Sequence, residues 1–118
     1  MSVNSLRAEE FLPLKPVWFH ILITLAAVPS HGYAIRQAVE TRTAGEIRLW
    51  PTTLYGALGQ LQAASLIDEM PGEASDGAVP RRTYKLTLLG RQVIVAEMER
   101  LETLLDLARA ATRRARPS

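Results

Sequence analysis

Between Leu49 and Ile67 the chain carries no charged residue, yet this stretch holds Thr52, Thr53, Tyr55 and Gln60. Hydroxyl and amide groups donate and accept hydrogen bonds without changing charge at neutral pH, which is the chemistry of recognition rather than of proton transfer. A second cluster is basic. Arg81, Arg82 and Lys85 fall within five residues, interleaved with Thr83 and Tyr84, and cations at that density suit phosphate oxygens.

Other chemistry is poorly served. With no cysteine and only two histidines, His20 and His31, the chain has no disulfide, thiolate-zinc or thiol-nucleophile chemistry, and no metal or cofactor is expected. His31 with Asp68 or Ser65 forms no nucleophile motif at useful spacing, so the chain is not read as an enzyme. His31-Gly32-Tyr33 reads as architecture: Gly32 permits a close helix approach and Tyr33 offers its ring to the core. His20, alone on a mostly apolar helix, reads as a satisfied core or interface residue.

The chain has 118 residues, 47% of them hydrophobic and 22% charged, which predicts one compact domain rather than a disordered or multi-domain chain. Fourteen basic against twelve acidic residues give a net charge of +2. That balance is too shallow to imply a partner, so the placement of the charges must do so. The most apolar run, Val17 to Val28, is interrupted by His20 and Thr24 and falls short of the ~18–20 residues of a membrane span. It reads as a buried first helix, with no membrane association and a cytoplasmic location expected.

Leu14, Val17, Trp18, Ile21, Leu22, Leu25 and Val28 recur at helical spacing and predict a helix from about Pro13 to Ala27, stopped by Pro29. Ser30 is expected to cap a second helix, His31 to about Thr41, with Ile35, Ala38 and Val39 inward. Trp50-Pro51 opens a third, which buries Leu54, Leu58 and Leu61 and ends near Ser65. The period then changes to two. Leu66 to Met70 and Arg81 to Leu86 read as strands of a hairpin joined by the Gly-containing loop Pro71 to Pro80. Thr87 is expected to cap a last helix to about Arg113, along which Ile94, Met98, Leu101, Leu105 and Ala108 form an apolar seam. Such a seam has no partner left in so small a chain and predicts a homodimer.

With Leu54 at the centre of the buried face, the opposite face of the third helix holds Thr52, Gly56, Gly59 and Ala63, flanked by Thr53, Tyr55 and Gln60. Small groups let a helix sink into a groove about 12 Å wide. The plainer account is that Tyr55 packs on a neighbouring helix and the threonines serve the first turn. In the hairpin, alternation turns Tyr84 and Leu86 inward and points Arg81 and Lys85 out toward a phosphate strand, with Arg82 reaching around from the edge. Ordinary solvated edge charges are the alternative.

Three helices, a hairpin and a long helix follow the order of a winged helix-turn-helix: a mainly α, α+β fold with a three-helix core, a two-stranded β-wing and a long C-terminal helix. His31-Gly32-Tyr33, Thr53-Leu54-Tyr55 with Ala57-Leu58 and Leu61, Leu66-Ile67, and Arg81 to Thr87 with Leu89-Gly90 together resemble the PadR family of bacterial transcriptional regulators, in order over about Leu12 to Gly90. The resemblance implies a homodimeric repressor of a two-fold symmetric operator, whose third helix reads double-stranded DNA, whose wing touches the backbone and whose last helix dimerises. It also implies release by a small molecule. The chain departs from the family in having no basic residue at Gly59-Gln60.

On this reading residues 1–12 are an arm, 13–87 the DNA-binding domain, 88–113 the dimerisation helix and 114–118 a basic tail. Thr52, Thr53, Tyr55, Gln60, Arg81, Arg82 and Lys85 are the expected DNA contacts. Ile94, Met98, Leu101, Leu105 and Ala108 are the expected dimer interface. Leu88 to Ser118 contains no aromatic residue, so Trp18 is the residue that could line a site for a small aromatic effector, against the plainer account of core packing. The rival function is a winged-helix module that binds protein and has no sequence-specific DNA affinity, favoured by the uncharged third helix.

Overall fold

A computed structural model describes residues 7–71 and 82–115. The loop joining the hairpin strands, Arg81 and the end of the tail therefore lie outside the described residues. A helical turn at 7–9 precedes α1 (Pro16–Ala27), β1 (Ser30–His31), α2 (Gly32–Arg42), α3 (Pro51–Ala63), β2 (Ile67–Met70), β3 (Thr83–Leu86) and α4 (Leu88–Ala115). The core gathers Ile21, Leu22 and Leu25 of α1, Ile35 and Val39 of α2, Leu54, Leu58 and Leu61 of α3, and Val93 of α4 around Leu49, Leu66 and Ile67.

The first helix starts later than its apolar pattern suggests. Lys15 precedes Pro16 and is held extended at φ −62°, ψ 139°, because proline disfavours helical backbone at the residue before it. Pro16 then occupies the first helical position, where a missing N–H costs nothing.

The expected hairpin of β2 and β3 is present, and the short β1 joins its β3 edge to make a three-stranded antiparallel sheet in the order β1-β3-β2. Ser30 pairs with Tyr84 and His31 with Thr83. This pairing also displaces the expected cap of α2. Ser30 is drawn into the strand and its Oγ donates to the Val28 carbonyl at 3.0 Å, while His31 Nδ1 accepts from the Ala34 amide at 3.2 Å and caps the helix one residue later. Tyr33 is likewise not a core residue: it lies two residues from Ile35, about 200° round the helix, and is 59% exposed.

Arg42 ties the end of α2 to α1, donating to the His20 carbonyl at 3.2 Å and to Thr24 Oγ1 at 3.1 Å. Burial, reinforced by this guanidinium, lowers the pKa of His20.

Thr87 caps α4 as expected, its Oγ1 accepting from the Gly90 amide at 2.9 Å and donating to the Ser65 carbonyl at 2.7 Å. Gly90 is required there, because a Cβ would run into the Leu66 carbonyl oxygen. At 28 residues and ~1.5 Å per residue, α4 is about 42 Å long. It outruns the body, which is why the molecule measures 68 × 37 × 22 Å.

Candidate nucleic-acid interface

Helix α3 buries Leu54, Ala57, Leu58 and Leu61 and leaves Thr52, Thr53, Tyr55, Gly56, Gly59 and Gln60 exposed. The expected polar residues do not form one cluster. Thr52, Thr53 and Gln60 line a groove of about 310 Å³ shared with Gly56 and with Lys15 and Trp18 at the start of α1. Tyr55 is on the other flank, where its hydroxyl comes within 2.8 Å of the position a Cβ on Gly32 would take. Gly32 is thus the residue that lets this ring lie on α2, and Tyr55 packs on a neighbouring helix while remaining 54% exposed. Among the described residues a Cβ on Gly56 or Gly59 would meet nothing within 4 Å, so the centre of the face between the two flanks is open there.

The wing separates its cations. Tyr84 is buried at 3% exposure, and that burial, with Glu69 nearby, pushes its phenol up despite the opposing Arg82. Arg82 is engaged across the strands, its Nε 3.0 Å from Glu69 Oε1. Glu69 also accepts from Gln62 Nε2 at 3.3 Å, so β2, α3 and the residue leading into β3 meet at one carboxylate. Lys85 is exposed opposite Asp68 in the register and makes no ion pair among the described residues. Of the three basic wing residues expected, one is neutralised by a neighbour, one is available and Arg81 lies outside the described residues.

The seam of α4 divides likewise. Ile94 is 9% exposed and belongs to the chain's own core. Met98, Leu101 and Leu105 are 48%, 38% and 48% exposed, and Ala108 is exposed beside them. Leu104 and Leu107, outside the 4-3 spacing, are exposed at 52% and 63%, Leu104 beside Leu101 and Leu107 about 120° further round the helix, toward Glu99 and Thr103. The leucine-rich run 101–107 was the available signal: it covers a face wider than a two-helix seam.

Trp18 is half-buried, with Lys15 Nζ 5.4 Å from its ring centre. No helix among the described residues is long and apolar enough to cross a membrane.

Three helices, a wing behind α3 and an open, uncharged α3 face define a winged helix-turn-helix protein. The transcriptional regulator PadR-like family matches residues 21–96, and the chain belongs to that family, among regulators rather than enzymes. An uncharacterised 37.1 kDa protein of a Streptomyces fradiae transposon is 36% identical over 84 residues, 71% of this chain but only 22% of that protein. A transcriptional regulator from Clostridium thermocellum is 26% identical with a TM-score of 0.67, over 80% of this chain and 90% of that one. Bacillus subtilis PadR in complex with operator DNA is similar in fold, with a TM-score of 0.64 at 19% identity over 73% of this chain and 48% of that one.

Proposed function

We propose that the chain is a homodimeric repressor that inserts α3 into the major groove of a two-fold symmetric operator. The observation that carries this reading is the exposed face of α3, on which Thr52 and Gln60 accompany two glycines with nothing standing over them among the described residues. Such a face admits the floor of a groove closely and meets it with hydrogen-bonding groups. Membership of the regulator family and the operator complex of the similarly folded Bacillus subtilis protein support it.

In this reading Lys85 supplies the main wing contact to phosphate, Arg82 contributes less because Glu69 holds it, and Tyr55 braces α3 from its flank. The exposed leucines of α4 join two copies, placing half-sites about one helical turn apart. A flat effector stacked on Trp18 would occupy the groove beside Thr52 and Gln60 and exclude DNA.

The test is a titration of labelled upstream DNA at two salt concentrations with random duplex as competitor. A selective shift whose log-log salt slope is roughly −5 to −7, the value for three or four phosphate contacts per protomer, supports the reading. The uncharged α3 also favours a protein-binding module, and a chain that shifts no duplex would move the weight to that alternative or to an operator elsewhere. Thr52→Ala and Gln60→Ala should relax sequence preference, and an unchanged preference removes base recognition from this face.

A further inference from the structure

We propose that the start of α1 is a third contact of this interface, in which Lys15, held against Trp18, takes a DNA backbone phosphate beside the bases that α3 meets. The inference rests on the DNA-binding reading and adds an element to it. A helix 10–12 Å across seated in a groove about 12 Å wide has a phosphate strand along each flank. One flank of α3 carries the Tyr55 ring on Gly32. The other opens into the groove that Thr52, Thr53, Gly56 and Gln60 share with Lys15 and Trp18.

Among the described residues Lys15 is the one charged residue lining that groove, and no carboxylate lines it. It makes no ion pair among the described residues, unlike Arg82, whose charge is met by Glu69. Its ammonium stands 5.4 Å from the centre of the Trp18 ring, a position that holds the cation at the groove wall and shortens its search for a partner. An exposed cation on a flank that a phosphate strand must pass, with no carboxylate paired to it among the described residues, has the charge and the place for that phosphate. The uncharged α3 then needs no basic residue of its own, because the neighbouring helix supplies one.

The experiment compares the wild-type chain with Lys15→Gln and Lys15→Arg on the upstream fragment and on random duplex, across a salt series. Lys15→Gln is expected to weaken both duplexes by a similar factor, roughly tenfold at low salt, and to flatten the salt slope by about 2 per dimer, one released counterion per protomer. Lys15→Arg should keep the wild-type slope. With Trp50→Phe, Trp18 is the remaining tryptophan, and its emission should change when duplex is added.

A wild-type slope in Lys15→Gln with a folded circular dichroism spectrum overturns the proposal, as does a loss confined to the specific duplex or a silent Trp18. Displacement of the duplex by millimolar inorganic phosphate at constant ionic strength would assign the groove to a free anion and overturn the backbone contact. A wild-type chain that shifts no duplex at any salt fails the DNA-binding reading itself, and this inference with it.

Discussion

The Glu97 carboxylate accepts a hydrogen bond from the Leu14 amide at 2.8 Å, across 83 residues of sequence. Its other oxygen is met by Arg100 one turn along α4, and the glutamate is only 1% exposed. A buried charge therefore fastens the long helix to the segment leading into α1, one residue before Lys15. A carboxylate is tolerated here because a guanidinium and a backbone N–H, both donors, replace its water.

Removing one side of such an arrangement leaves the other unpaired. Glu97→Ala should cost about 2–3 kcal/mol, because the Leu14 amide loses its acceptor and the side chain leaves a gap. Urea unfolding measures it. Glu97→Gln keeps an acceptor for Leu14 and should cost less. The hydrogen bond from Arg100 and that from Leu14 outweigh burial and lower the Glu97 pKa from its ordinary value near 4.5. The contribution is therefore complete above about pH 4.5 and is lost as pH falls through the depressed folded value. Acid unfolding should be shallower in Glu97→Gln than in wild type, and parallel acid limbs would contradict this account.

The same substitution at three glycines should give three different results. Gly90→Ala forces a methyl group against the Leu66 carbonyl, a backbone atom that cannot swing away, and should cost about 2–3 kcal/mol. Gly32→Ala meets only the end of the Tyr55 side chain, which can rotate outward, so its cost should stay within about 1 kcal/mol. Gly59→Ala stands in open space and should stabilise by ~0.5–1 kcal/mol through helix propensity. Thermal melts rank the three. If α3 enters DNA, Gly59→Ala raises Tm while weakening duplex binding, and movement of both in the same direction counts against the placement of α3.

Leu101→Glu should convert a dimer to a monomer with little loss of monomer fold, because Leu101 is 38% exposed and its neighbours Leu104 and Leu105 more so. Ile94→Glu, by contrast, should unfold the chain, since that residue is in its own core. Sedimentation equilibrium and circular dichroism together separate the two effects. A stable dimer of Leu101→Glu would place the interface elsewhere.

Much of the architecture was legible in local pattern. Helical spacing marks α1 to α4, alternation marks the wing, and prolines and Thr87 set boundaries, because these depend on backbone geometry within a few residues. The inward turn of Tyr84 followed from alternation alone. Local pattern misled where a distant partner competed, as when pairing with Tyr84 drew Ser30 from the cap into a strand.

What the sequence determined by itself is the order of elements, the family pattern and the uncharged, small-residue face of α3, since each is a matter of residue type at fixed spacing. Tertiary structure alone decided which groups share a site. It split Tyr55 from Thr52 and Gln60, set Glu69 against Arg82, withdrew Ile94 from the apolar seam, and brought Lys15 to α3 and Glu97 to Leu14. The contacts of Lys15 with α3 and of Glu97 with Leu14 cross tens of residues and rest on the packing angle between helices, which no periodicity within a single helix encodes.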